Sequence, residues 1–299
     1  MNVGKFMKII SLVLVICLTV LVGIYAANSV ISGSQDNEDI GTEAIKGKRI
    51  NVLLLATDKG GVLTDTIMFA SFDKKTKELN IISVPRDTRV QLKNSYVKIN
   101  SVYGAGKKGQ QQELIIEKVT DIIGMPVNYY AVIDPAAFRN IIDILGGVEI
   151  NIPKRMYYYD PTQNLKIDLQ PGLQVLNGAK AEQFCRFRSG YANADLGRID
   201  AQQMFVKALV KQKLKPKYLL KIDDIFNEIE ENIRTNIGLT DITKLMPILN
   251  AMSADNVNTY MLPGRPQTIN GASYYICDRA QTDALINEKI LKIEPKNEA

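Results

Sequence analysis

The sequence predicts an α/β fold around a central sheet, and three observations lead there. Residues 51–88 contain three short apolar runs, at 52–55, 67–72 and 79–84. Each is rich in aliphatic or β-branched residues and bounded by charges or turn formers, the pattern of a buried strand. Residues 129–152 then read as strand, helix and strand, the order of a βαβ unit. Finally, charges mark the strand ends. Asp58 follows the first run, Asp65 precedes the second, and Arg86 and Asp87 follow the third. If the first and third strands run parallel, these charges gather at one sheet edge, where open α/β sheets bind ligands.

Composition narrows the chemistry. The 299 residues are 46% hydrophobic and 23% charged, ordinary for a globular protein. A net charge of +5 suits an anionic partner such as a phosphate-bearing ligand or a lipid headgroup. It is too diffuse for nucleic acid, and no stripe of aromatics interleaves with Lys and Arg. The chain has no histidine. That excludes Ser-His-Asp and Cys-His catalysis, His-containing zinc sites and imidazole acid–base work. Chemistry must then run on carboxylates, Arg, Lys, Tyr or Ser, and a metal held by carboxylates would be Mg²⁺ or Mn²⁺.

At the N-terminus, Lys5 and Lys8 precede an uncharged, almost wholly apolar run over residues 9–27. As a helix it spans about 28 Å, close to the hydrocarbon thickness of a bilayer. Basic residues before the run, and Asp36, Glu38, Asp39 and Glu43 after it, orient it with the N-terminus in the cytoplasm. The expected organisation is a cytoplasmic tail (1–8), a single-pass transmembrane signal anchor (9–27), an extracellular linker (28–47) and an extracellular domain (48–299) at the cell membrane. A cleaved signal peptide, cut near Ala26-Ala27, is the competing reading, and it also exports the domain. Cys17 falls within the apolar run as a small hydrophobe, and Ile16 disfavours lipidation there. Cys185 and Cys277 could pair in an oxidising compartment, although nothing local demands it.

Residues 97–103 lead into Gly104-Ala105-Gly106-Lys107-Lys108-Gly109, which matches GxGxxG without a clean strand before it or a helix opening on it. A mobile loop is expected, with two lysines able to meet an anion. A helix follows over 112–123, stopped by Gly124. The strand at 129–133 gives way to an Asp134-Pro135 helix start, a helix to Leu145, the Gly146-Gly147 stop and a strand at 148–152. Tyr157, Tyr158 and Tyr159 are expected outside regular structure, covering a core edge or lining an apolar channel.

Residues 177–185 run into Arg186-Phe187-Arg188, and a helix is expected to start near Arg198, burying Met204, Phe205, Ala208, Leu209 and Leu214. Arg198 and Gln202 share a face near its N-terminus, equipped to hold phosphate oxygens. Beyond lie amphipathic helices at 219–233 and 239–252, a strand at 256–262, a turn at 263–266 and a closing helix at 279–291. No break in composition marks a second soluble domain, and there are no repeats and no Walker-type loop.

The chemistry-bearing set is Asp58, Asp65, Arg86, Asp87, Lys98, Arg186, Arg188, Asp195, Arg198 and Gln202. Any one of them alone reads as a surface ion pair. Together, two acids and several arginines converging on one edge are what phosphoryl transfer needs.

The chain resembles the LytR–CpsA–Psr family of membrane-anchored cell-envelope enzymes. The matching pieces are NVLLLATD (51–58), TDTIMFASFD (64–73), SVPRDT (83–88), KINSVY (98–103), DILGGVEINIP (143–153), FCRFR (184–188) and DLGRIDAQQ (195–203), in the family order. The resemblance implies a three-layer α/β/α fold with a central mixed sheet, holding a polyprenyl-pyrophosphate lipid along an apolar tunnel. It implies a phosphotransferase that moves an anionic glycopolymer, of teichoic acid or capsular polysaccharide type, from that carrier to a peptidoglycan hydroxyl. Carried over by motif, Asp58 and Asp65 would serve Mg²⁺ and the incoming hydroxyl. Arg86, Arg188 and Arg198 would grip the pyrophosphate, supported by Lys98, Arg186, Asp195 and Gln202. Two positions depart from the family pattern: Leu63 and Ala201 each stand where members usually carry arginine. Their loss keeps a non-catalytic lipid-phosphate-binding or regulatory envelope protein in play, and behind it a pyrophosphatase using water as acceptor.

Overall fold

The computed structural model describes residues 48–58, 60–160, 165–187, 194–213, 233–237 and 254–293. The expected anchor and linker, Lys59, Arg188, Leu214 and nearly all of the helices expected at 219–233 and 239–252 lie outside these. Among the described residues, no helix is long and apolar enough to cross a membrane.

The three apolar runs form β1 (Arg49–Thr57), β2 (Thr64–Asp73) and β3 (Leu79–Ser83). β2 pairs antiparallel with both neighbours, so β1 and β3 run parallel and end at the same sheet edge. After β3 come the hairpin β4 (Arg89–Leu92) and β5 (Ser95–Lys98), a 3₁₀ turn, α1 (Val102–Ala105) and α2 (Gln111–Ile123). Gly124, at φ 71°, ends α2 as expected. β6 (Tyr129–Ile133) pairs parallel with β1, and α3 (Pro135–Ile144) is capped by the Asp134 carboxylate accepting from the Ala137 N–H at 2.7 Å.

β7 (Val148–Ile152) does not return to the main sheet as a βαβ unit would require. It pairs antiparallel with β10 (Gly172–Leu176) in a separate ribbon. Its alternating burial suits a one-sided ribbon, whereas the central strands β1, β2 and β3 are buried on both faces. Between them, β8 (Met156–Asp160) and β9 (Leu165–Leu169) form a hairpin. Tyr157, Tyr158 and Tyr159 therefore lie within a strand, and all three are exposed rather than covering a core edge.

α4 (Gly178–Arg186) and α5 (Ala194–Lys213) follow. α5 starts four residues before the expected position, so Arg198 lies a full turn inside it. Phe205 and Leu209 are buried as expected, but Met204 is exposed. β11 (Ile233–Thr235) and β12 (Val257–Met261) complete a mixed six-stranded sheet ordered β11-β6-β1-β2-β3-β12. The turn expected at 263–266 is instead the start of β13 (Gly264–Ile269), paired with β14 (Ala272–Cys277) through Asn270-Gly271. Both turn residues have positive φ, 50° and 77°. Asn-Gly between strand patterns is a direct hairpin signal. α6 (Arg279–Leu285) runs on as a π-helical turn over Ile286–Leu291.

Two apolar clusters sandwich the sheet. Ile50, Val52, Met68 and Phe72 face α3, α4 and α5 through Ile141, Phe184 and Phe205. Leu53, Leu55, Ile67 and Phe69 face α2 and the C-terminal helical turn through Ile115, Val119 and Ile290. The result is three layers, α/β/α.

Candidate functional site

The sheet edge is built by a break in register. Ala56 lies opposite Thr66, but Thr57 lies opposite Thr64, which leaves Asp65 as the extra residue of a β-bulge on β2. A bulge bends its strand and re-aims the extra side chain, and bulges recur beside active sites. The sequence had placed Asp65 just before the strand; it is the strand's second residue. Its Oδ1 meets Arg86 Nη1 at 2.7 Å and Arg198 Nη1 at 3.7 Å. The Arg198 side chain is only 3% exposed, against 31% for Asp65. One carboxylate thus orients two guanidiniums from different elements.

Each partner is held from behind. The Arg86 carbonyl accepts from the Asn100 N–H at 3.1 Å, and the Asp87 carbonyl accepts from the Tyr275 N–H at 2.9 Å. Gln202 Nε2 donates to Thr66 Oγ1 at 3.1 Å and to the Cys185 carbonyl at 3.3 Å. Gln203 Nε2 donates to Ser83 Oγ at 3.1 Å and the Tyr260 carbonyl at 2.8 Å. The paired glutamines therefore fix α5, and with it Arg198, across β2, β3 and β12. Thr66 and Gln203 did not stand out in the sequence. Their signal was adjacency, one beside Asp65 and the other beside Gln202.

Asp58 stands at the same edge, after β1. Its Oδ1 accepts from the N–H groups of Val62 and Leu63 at 2.9 and 3.0 Å, closing the loop that leads to Asp65. Gly104 of α1 packs against this loop so closely that a Cβ there would lie 2.6 Å from Val62 Cγ1. The GxGxxG stretch is thus in part a short helix bracing the Asp58 loop, with Lys107 and Lys108 beyond it.

Other expected members are engaged elsewhere. Lys98 Nζ pairs with Asp87 Oδ1 at 2.8 Å. Arg186 and Arg139 share Glu182 at 2.8 and 2.6 Å, tying α4 to α3. Asp195 lies in the first turn of α5. Cys185 and Cys277 are both free thiols. Burial, and then the Glu182 carboxylate, push the Cys185 thiol well up, so it stays protonated.

Among the described residues, no three acidic or thiol side chains gather as a ready-made metal cage. Two carboxylates at one edge suit Mg²⁺, which takes one or two carboxylates and draws its other ligands from phosphates and water. Asp58 fits that part, because its Oδ2 accepts no hydrogen bond from a described residue.

A family model described as the LytR_cpsA_psr family matches residues 22–290. The chain belongs to the LytR–CpsA–Psr family. TagV of Bacillus subtilis (strain 168), a polyisoprenyl-teichoic acid–peptidoglycan teichoic acid transferase, is 27% identical over 96% of this chain and 78% of its own length. Biofilm regulatory protein A of Streptococcus mutans serotype c is 26% identical over 92% of this chain and 74% of its own. The crystal structure of B. subtilis TagV superposes with a TM-score of 0.69 at 26% identity, covering 84% of this chain and all (100%) of that one. In this LytR–CpsA–Psr protein the two departures sit differently. Leu63 is half-buried on the Asp58 loop, whereas Ala201 is 2% exposed inside the cluster between the sheet and α5.

Proposed function

We propose that this protein is a membrane-anchored phosphotransferase that moves an anionic glycopolymer, of teichoic acid or capsular polysaccharide type, from a polyprenyl-pyrophosphate carrier to a peptidoglycan hydroxyl. The observation that carries this reading is Asp65, raised on a bulge and held against Arg86 and Arg198. Family membership and the transferase name of TagV support it.

The acceptor oxygen attacks the phosphorus that bears the glycan. Its new P–O bond replaces the bond to the bridging oxygen, and the electron pair leaves on polyprenyl monophosphate. Asp65 takes the hydroxyl proton. Arg86 and Arg198, already aimed at one point, stabilise the charge on the phosphate oxygens without reorganising. Arg188 would join them, while Lys98 and Arg186 stay paired with Asp87 and Glu182 and Gln202 braces α5. Asp58 and Asp65 would hold Mg²⁺ or Mn²⁺, which neutralises phosphate charge when bound. The polyprenyl chain would run along the apolar cluster between the sheet and α5. The apolar run at 9–27 would anchor the chain with the domain outside.

Transfer from a polyprenyl-pyrophosphate-linked polymer to peptidoglycan tests this. Asp65→Ala should lower the rate at least about 100-fold, the usual worth of a positioned base. An equally active variant would overturn the assignment.

The buried Ala201, in place of a usual arginine, favours a second reading, a non-catalytic binder of polyprenyl phosphates. Mass spectrometry of lipid co-purifying with a protein that shows no turnover would single it out.

A further inference from the structure

Away from Asp65, a cleft of about 440 Å³ opens between the β4–β5 hairpin, the second half of α2 and the start of α6. Four cations line it, Arg89, Lys93, Lys118 and Arg279, against one acid, Asp121. Lys118 is held by Glu117 at 2.6 Å and Asp121 at 3.5 Å. Arg279 pairs with Asp283 at 3.0 Å and donates to the Asp121 and Ile122 carbonyls at 2.7 and 3.1 Å. Arg89 and Lys93 form no ion pair with any described residue.

Arg89 is seated on aromatic faces instead. Its guanidinium carbon lies 3.5 Å from the Tyr96 ring centroid and 5.8 Å from that of Tyr274. Its Nε is shut off from solvent without an acceptor among the described residues. A guanidinium oriented by rings and not neutralised by an acid keeps its charge and planar donors available to an incoming anion. Tyr96 is half-exposed and offers an amphipathic ring beside that charge, a surface suited to a sugar.

The cleft also begins next to the reaction edge. Only two residues separate Arg86 from Arg89, so their Cα atoms are at most about 11 Å apart. The link between them is pinned by the Asp87–Tyr275 hydrogen bond and a bridge between Thr88 and Tyr275.

We propose that this cleft binds a phosphate or carboxylate group of a substrate that reacts at Asp65, holding it at a point away from the reacting atoms. It rests on the transferase reading only for the substrate's place in the reaction. The chemistry is shared by two sources, the phosphodiesters of the donor polymer and the stem-peptide carboxylates of the acceptor.

Titration calorimetry on the full chain in detergent, at low salt, uses two probes: a synthetic oligo(glycerol phosphate) and a muramyl-pentapeptide disaccharide. At least one should bind, and the tighter one names the source. Arg89→Gln should weaken that probe at least ten-fold. Lys93→Glu, an exposed turn substitution that leaves the Arg89–Tyr96 stack in place, should do the same. Arg86→Gln should abolish transfer yet leave this binding intact, which separates failure of the cleft from failure of the transferase reading. Binding of neither probe, or equal binding by wild type and both cleft variants, would overturn the proposal.

Discussion

At the scale of single residues, the site depends on where each charge finds its partner. Asp65, Arg86 and Arg198 meet at 2.7 and 3.7 Å, while Lys98 and Arg186 are claimed by Asp87 and Glu182. The sequence contained all of these charges but did not show that Asp65 meets Arg198, more than 100 positions away. Position 201 shows the same limit. Its alanine reads as a lost phosphate contact, yet it packs in the core at 2% exposure. Ala201→Arg is therefore expected to lower stability by at least about 3 kcal/mol, measured by urea unfolding, since it buries a charge. Leu63→Arg, half-buried at the loop, should stay within about 0.5 kcal/mol of wild type. Unchanged stability in Ala201→Arg would mean that the new guanidinium reaches a polar partner along the Arg198 face of α5.

At the scale of elements, local pattern did well where burial is two-sided. The strands at 52–55, 67–72 and 79–84, the Asp134 cap and the Gly124 stop were all legible, because apolar periodicity and capping chemistry are local. The β7 pairing was not, because a strand pattern does not name its neighbour. The tie between α1 and the Asp58 loop gives a direct test. Gly104→Ala should push Val62 away, since its Cβ would lie 2.6 Å from Val62 Cγ1 and 2.8 Å from the Val62 carbonyl oxygen. Transfer should fall about ten-fold or more while thermal unfolding shifts by only a few degrees. Full activity would show that the loop accommodates the change.

The far end of β1 and β2 has its own clamp. Arg49, 4% exposed, pairs with Asp73 at 2.9 Å. Burial by itself would raise the Asp73 carboxyl. The Thr76 and Lys75 N–H groups and the Arg49 guanidinium outweigh it and hold the carboxyl below its ordinary 3.8. A depressed folded-state value favours the ionised form in the fold. This stability is complete above about pH 4 and is lost as pH falls through the folded value. Asp73→Asn should cost about 2–3 kcal/mol at pH 7 by leaving Arg49 buried and unpaired. It should also flatten the acid limb of the stability curve, measured by denaturant unfolding from pH 6 to pH 2. An acid limb as steep as wild type would assign that limb to other carboxylates.

For the whole molecule, the proposed arrangement is a catalytic edge tethered outside a membrane. Deleting residues 1–27 should move the protein from the membrane fraction to the soluble fraction of cells that express it. Retention at the membrane would assign attachment to the domain. Two cores lie on opposite faces of one sheet, and the fold as a whole superposes on the TagV structure with a TM-score of 0.69 at 26% identity. By itself the sequence determined the α/β class and the presence of acids and arginines at strand and helix ends. Those follow from burial periodicity and from where charges interrupt it. Only the tertiary structure decided that a one-residue register slip lifts Asp65 out of the sheet, and that Gln202 and Gln203 fasten α5 over it. The physical reason is range. Hydrophobic alternation acts between near neighbours, whereas a bulge, an ion pair and a side-chain clamp are settled by segments that meet only after the chain has folded.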